Sequence, residues 1–105
     1  MNDINVIDIL KNNNTLLQKY YVKRIGVFGS YVRGEEDDKS DIDILVEFDE
    51  SSFGENFKGY FDTVTSLSAD LESVLNKRVD LVTIHSLSPY IAPRVMKEVK
   101  FVEGL

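Results

Sequence analysis

The 105 residues include no cysteine, which excludes disulfide frameworks, thiolate zinc sites and cysteine nucleophiles together. That absence suits a reducing cytosol, and a cytoplasmic location is the expectation. Histidine is nearly absent as well. The single one, His85, follows an apolar run and reads as a turn or surface group. No apolar run approaches the roughly 18 residues of a membrane span. The N-terminus lacks a basic segment leading into an apolar one, so neither a membrane role nor a targeting segment is expected. Bases are in deficit too: 12 Lys and Arg stand against 18 Asp and Glu, a net charge of −6. A general nucleic-acid binder that relies on a basic surface is thereby disfavoured.

What is present suffices for one domain spanning 1–105, with 43% apolar and 29% charged residues. A chain of this size can bury a core without a metal or disulfide staple. Its acid is concentrated. Residues 35–55 hold ten acids against the single base Lys39, a net of −9, while the other 84 residues carry +3. A solvated acidic loop is the ordinary reading of such a run. The sharper one is a site for hard divalent cations, which take oxygen ligands.

Apolar spacing predicts the elements. Ile4, Ile7, Leu10, Leu16, Leu17, Tyr20 and Tyr21 recur at helical intervals, and Asn12, Asn13 and Asn14 are poor helix formers that would kink or divide that helix. Ile25 to Phe28 has the length of a buried strand. Asp41 to Phe48 alternates, with Ile42, Ile44 and Val46 on one face and Asp41, Asp43 and Leu45 on the other. Residues 51–56 read as a loop. Phe57, Tyr60, Phe61, Val64, Leu67, Leu71, Val74 and Leu75 then give a long amphipathic helix ending near Asn76, with its aromatics assigned to the core. Val79 to Ile84 is a third strand. Ser88-Pro89 resembles a helix start, although Pro93 delays the regular helix that carries Val95, Met96 and Val99. The expected fold is α/β (α+β), a small mixed sheet flanked by helices.

The chemistry concentrates in Gly29-Ser30, ten intervening residues, then Asp41-x-Asp43 opening a strand. A glycine at a strand end followed by a helix-capping serine turns the backbone sharply and aims N–H groups outward, as an anion cradle for phosphate. Two aspartates two apart on a strand project from one face and suit one or two Mg²⁺ ions. Asp80 lies inside the apolar run Val79-Asp80-Leu81-Val82, where burial would be costly unless it is paired or near a metal. If its strand lies beside that of Asp41 and Asp43, it completes a triad that holds metal and accepts a proton. Arg33, one turn beyond Ser30, would steady phosphate charge or pair with a neighbouring acid.

These residues carry a resemblance. Gly26-Val27-Phe28-Gly29-Ser30-Tyr31-Val32-Arg33-Gly34, Ser40-Asp41-Ile42-Asp43 and Lys77-Arg78-Val79-Asp80-Leu81-Val82 are similar to the DNA polymerase β-like nucleotidyltransferases, in their minimal (MNT) branch. The likeness runs from about Leu16 to Val99. It implies the polymerase β-like fold, Asp41, Asp43 and Asp80 as catalytic and metal-binding acids, and Gly29 and Ser30 as the triphosphate turn. It implies ATP as substrate with Mg²⁺, two ions, as cofactor. It further implies an antitoxin that transfers AMP to a tyrosine of a HEPN-domain ribonuclease toxin, in a hetero-oligomer. Neutralisation by occlusion, and adenylylation of a small molecule such as an aminoglycoside, stand as the alternatives. The second would need an acceptor domain for which this chain has no room.

The remaining residues are read plainly. Glu35 to Asp38 form a solvated loop, and Arg94, Lys97 and Lys100 read as a charge cluster near a helix end in preference to contacts with a partner or phosphates. Tyr20, Tyr21, Tyr31 and Tyr90 either pack or stack on adenine, with nothing to choose between these.

Overall fold

Asn13 divides the N-terminal helical region, as its poor propensity predicts. Helix α1 runs over Val6–Asn12 and α2 over Asn14–Lys19, and the Asn13 side chain donates to the Ile9 carbonyl at 2.7 Å. The structure is a computed structural model that describes residues 6–35, 37, 39–49 and 57–102. Ile4 and the loop expected over 51–56 lie outside the described residues, as do Glu36, Asp38, Glu50 and Glu55.

Strand β1 spans Val22–Phe28, three residues longer at its start than the apolar run alone predicts. A four-residue helix, α3 (Ser30–Arg33), follows it directly. Strand β2 is Ile42–Phe48 and helix α4 is Phe57–Leu75. Strand β3 is Val79–Thr83; Ile84 opens a single 3₁₀ turn that carries the exposed His85, rather than extending the strand. Ser88-Pro89 begins a turn, with the Ser88 carbonyl accepting from Ile91 and Ala92. The regular helix α5 starts only at Ala92 and ends at Glu98. A fourth strand that the pattern did not predict, β4 (Lys100–Phe101), closes the chain onto β1.

The four strands among the described residues lie in the order β3-β2-β1-β4. β1 is antiparallel to β2 and β4, while β2 and β3 run parallel, and α4 supplies the crossover that a parallel pair requires. The sheet is mixed, as expected. Ile42, Ile44, Val46 and Phe48 turn one face of β2 into the core against Leu10, Leu17, Leu67, Leu71 and Leu75. Each fully buried leucine or isoleucine contributes about 1.5–3 kcal/mol. Phe61 departs from its expected core position: it is 69% exposed, and the buried residues among the described side chains of α4 are Leu67, Leu71 and Leu75. The side chains of Phe57 and Tyr60, also expected in the core, lie outside those described. Tyr20 packs beside that stripe and donates its hydroxyl to Asp70 Oδ2 on α4, a bond that raises the phenol above its ordinary pKa.

Gly26 makes room for β4. A Cβ there would stand 2.7 Å from Val99 Cγ2 and 2.8 Å from the Lys100 carbonyl, so a side chain would push the last strand away.

Candidate active site

Strand register brings the distant acids together. Asp43 is the Cα partner of Phe28 on one side and of Asp80 on the other. Side chains of directly paired residues share a face, and Asp41, two residues earlier, lies on that face too. Gly29 follows Phe28 immediately, which sets the turn against the Asp43 side chain. The contact is so close that a Cβ on Gly29 would run into the Asp43 carboxylate. Gly29 also adopts φ 80° and ψ −151°, a region that essentially only glycine visits.

The cap sits one residue earlier than the sequence suggests. Gly29 is the N-cap, its carbonyl accepting from Val32 and Arg33, and Ser30 is the first helical residue with no side-chain capping bond. Serine is displaced from the cap because Gly29 already holds the non-helical conformation. Nor are all the N–H groups of the turn free. The Gly29 N–H donates to Glu98 Oε2 at 2.8 Å.

Glu98, at the end of α5, is the residue that sequence reasoning missed. Its other oxygen accepts from Arg33 Nη1 at 2.7 Å, and Arg33 Nε donates to Glu35 at 2.8 Å. Arg33 is thus paired with two acids, which hold its guanidinium protonated well beyond its ordinary range. In return, the Arg33 hydrogen bond, followed by that from Gly29, lowers the Glu98 carboxyl below the usual carboxylate pKa. Arg94 and Lys97 are exposed on the same helix and line a shallow groove with Pro93 and Glu98.

Asp43 is the electrostatic centre of the group. Burial, then the neighbouring charges of Asp80 and Asp41, push its carboxyl above the ordinary value. Asp80 is itself exposed, so the cost that burial within its apolar run would carry does not arise. Asp41 is held by Arg78, whose Nε stands 3.2 Å from Asp41 Oδ1. Among the described residues no three His, Cys, Asp or Glu side chains stand close enough to form a metal cage unaided. The donor set nevertheless fits a hard divalent cation. It offers carboxylate oxygens alone, and their mutual repulsion at Asp43 is what a cation relieves. Ahead of them, Asp37 accepts from the Lys39 N–H at 2.8 Å, and chiefly that bond lowers its carboxyl below the ordinary value.

The model of the nucleotidyltransferase domain matches residues 8–102. The chain belongs to the nucleotidyltransferase domain family. Among the described residues the match takes in all four strands and all but the start of the first helix of this minimal nucleotidyltransferase. Among its relatives is the protein adenylyltransferase MntA of Thermococcus cleftensis, 45% identical over 87 residues that cover 83% of this chain and 81% of that protein. A solved toxin–antitoxin with AMP-PNP superposes with a TM-score of 0.69 at 30% identity, over 97% of this chain and 75% of the other. The structure of the tri-AMPylated Shewanella oneidensis HEPN toxin in complex with MNT antitoxin gives a TM-score of 0.62 at 25% identity, over 95% and 73%. The polymerase β-like fold expected from Gly29-Ser30 and Asp41-x-Asp43 is therefore the fold of this nucleotidyltransferase. Among its described residues no helix is long and apolar enough to cross a membrane.

Proposed function

We propose that this nucleotidyltransferase transfers AMP from ATP to a hydroxyl, a tyrosine in our reading, of a HEPN-domain toxin, and so acts as its antitoxin. The observation that carries the reading is the Gly29 turn packed on Asp43, with Asp80 paired beside it. It supports an anion cradle and a cation site side by side, which is what a metal-bound nucleoside triphosphate needs. The relatives named as adenylyltransferases and toxin–antitoxin complexes support the same reaction.

Asp43, Asp41 and Asp80 would hold Mg²⁺, two ions in our reading, which when bound neutralises phosphate charge and favours the departing pyrophosphate. The protein's own residues do the rest. Ser30, with the Gly29 turn, binds the triphosphate, and Arg33, one turn along α3, serves it by exchanging its exposed partner Glu35 for phosphate oxygens. The acceptor hydroxyl attacks the α-phosphorus in line, a new P–O bond forms, and the α–β anhydride breaks. Asp80, exposed at the sheet edge, takes the hydroxyl proton. Catalysis comes chiefly from positioning and electrostatics. ATP as substrate and a cysteine-free chain suit a cytoplasmic protein working in a hetero-oligomer with its toxin.

Incubation with ATP, Mg²⁺ and a cognate HEPN-domain protein, sought in the adjacent reading frame, tests this. The partner should gain the mass of AMP and lose ribonuclease activity, and the pair Asp41→Asn with Asp43→Asn should abolish both. Protection by that double variant without any added mass would overturn the reading in favour of occlusion.

A further inference from the structure

The parallel pairing of β2 with β3, in register at Ile42 and Val79, sets the two chain segments that lead into these strands side by side. One brings Lys39 and Ser40, the other Lys77 and Arg78. With Asp41 they line a recess of about 320 Å³, at the small end of the ~300–1,000 Å³ usual for ligand sites. Three cations thus converge at one spot of a chain whose net charge is −6. Arg78 spends one donor on Asp41, at 3.2 Å, but its side chain is 80% exposed. An exposed pair of this kind is readily exchanged for another anion. Lys77 approaches the Tyr31 ring, 6.0 Å from its centroid, so the recess adjoins α3 as well.

Its position relative to the turn matters. In the order β1-β2-β3, the Gly29 turn lies at the end of β1, Asp43 on β2, and Asp80 with the recess on the β2–β3 side. In-line displacement puts leaving group and nucleophile on opposite sides of the α-phosphorus. With pyrophosphate held at the turn, the acceptor arrives from the side of Asp80 and the recess.

The first transfer changes the acceptor. A neutral hydroxyl becomes a phosphodiester carrying one negative charge, beside three aspartates that repel it. We propose that the recess of Lys39, Lys77 and Arg78 is a phosphodiester subsite on the acceptor side. It holds the phosphate of an AMP already attached, so that a ribose hydroxyl of that AMP attacks the next ATP. The new bond joins the ribose oxygen to the incoming α-phosphorus. The α–β anhydride breaks, pyrophosphate leaves and the hydroxyl proton passes to Asp80. The inference rests on the AMP-transfer reading above, and the toxin of the Shewanella oneidensis complex, being tri-AMPylated, has received more than one AMP.

The test follows AMP additions to the HEPN partner by intact mass and tandem mass spectrometry. It compares the wild type, Lys39→Ala with Lys77→Ala, and Lys39→Arg with Lys77→Arg. The wild type is expected to build a chain of AMP units on one residue. The alanine pair should keep the first addition within about twofold and slow later ones about tenfold or more, as loss of charged phosphate contacts implies, and the arginine pair should restore them. Equal later additions by the alanine pair would overturn the subsite. So would a raised KM for ATP at the first addition, which would assign the recess to incoming ATP. A wild type that adds one AMP only, or single AMPs on separate residues, would overturn it while leaving the transfer reading intact. No AMP addition by the wild type would overturn the transfer reading itself.

Discussion

The Glu98 carboxylate accepts the backbone N–H of Gly29 at 2.8 Å, across 69 positions of sequence. The same carboxylate holds Arg33 at 2.7 Å, so one side chain at the end of α5 fixes both the strained glycine and the cation of the proposed triphosphate turn. Glu98 is a positioning residue in this reading. It keeps Gly29 against Asp43 without touching the reacting atoms.

Glu98→Ala should therefore raise the KM for ATP several-fold with a smaller change in kcat, and lower stability by about 1 kcal/mol once solvent screening is allowed for. Glu98→Gln, whose amide oxygen still accepts from Gly29, should recover most of the KM. A purely structural role would leave KM unmoved while Tm fell. The pH dependence has a definite sign. The folded Glu98 carboxyl is held below its ordinary value, so its contribution is complete above the normal carboxylate range. It is lost only as pH falls through that lowered value. Difference melting curves of wild type against Glu98→Gln should converge only as pH falls below the ordinary carboxylate range.

Asp43 titrates in the opposite sense. Its carboxyl is raised, first by burial and then by Asp80 and Asp41, so the metal-free protein loses stability as pH rises from the ordinary carboxylate range through that raised value. Asp43→Asn should raise Tm by a few degrees at neutral pH, with no gain in acid, while reducing AMP transfer on the order of a hundredfold or more. Calorimetry over a pH series checks the first outcome and transfer assays the second.

Mg²⁺ should reverse that cost in the wild type alone. A ligand at a hundred times its Kd stabilises a fold by about 2.7 kcal/mol. Saturating Mg²⁺ with a nonhydrolysable ATP analogue should thus raise the wild-type Tm well above its value in chelator. The pair Asp41→Asn with Asp43→Asn should show little response, and equal shifts for both proteins would sink the proposed ligands.

How much of this was legible depends on how far each relationship reaches along the chain. Asp41, Asp43 and their facing were readable because strand alternation is local. The Gly29-Ser30 turn was readable for the same reason, although glycine took the capping position expected for serine. Asp80 was readable only conditionally: its strand was evident, its place beside β2 was not. Phe61 was misplaced because a broad apolar pattern does not say how wide a stripe the sheet will cover. Glu98 was not legible at all. A glutamate near a helix end looks like any solvated charge, and its partners are set by where β4 docks. That strand has two residues, too few to leave a periodic signal.

Gly26 offers a way to test that dependence of the site on the last strand. β4 pairs with β1 at Gly26 and Val27, and a Cβ at Gly26 would press on Val99 and the Lys100 carbonyl. Overpacking of this kind typically costs about 1–3 kcal/mol. It would fall on the two residues that follow Glu98, shifting the end of α5 and loosening the Glu98 bonds to Gly29 and Arg33. Gly26→Ala should then reproduce the raised KM of Glu98→Ala although Gly26 lies in the middle of β1. Because both changes act through one contact, the double variant should be less impaired than the product of the singles, with a coupling of at least about 0.5 kcal/mol. Strictly multiplicative effects on kcat/KM would show that β4 stabilises the sheet without positioning the turn.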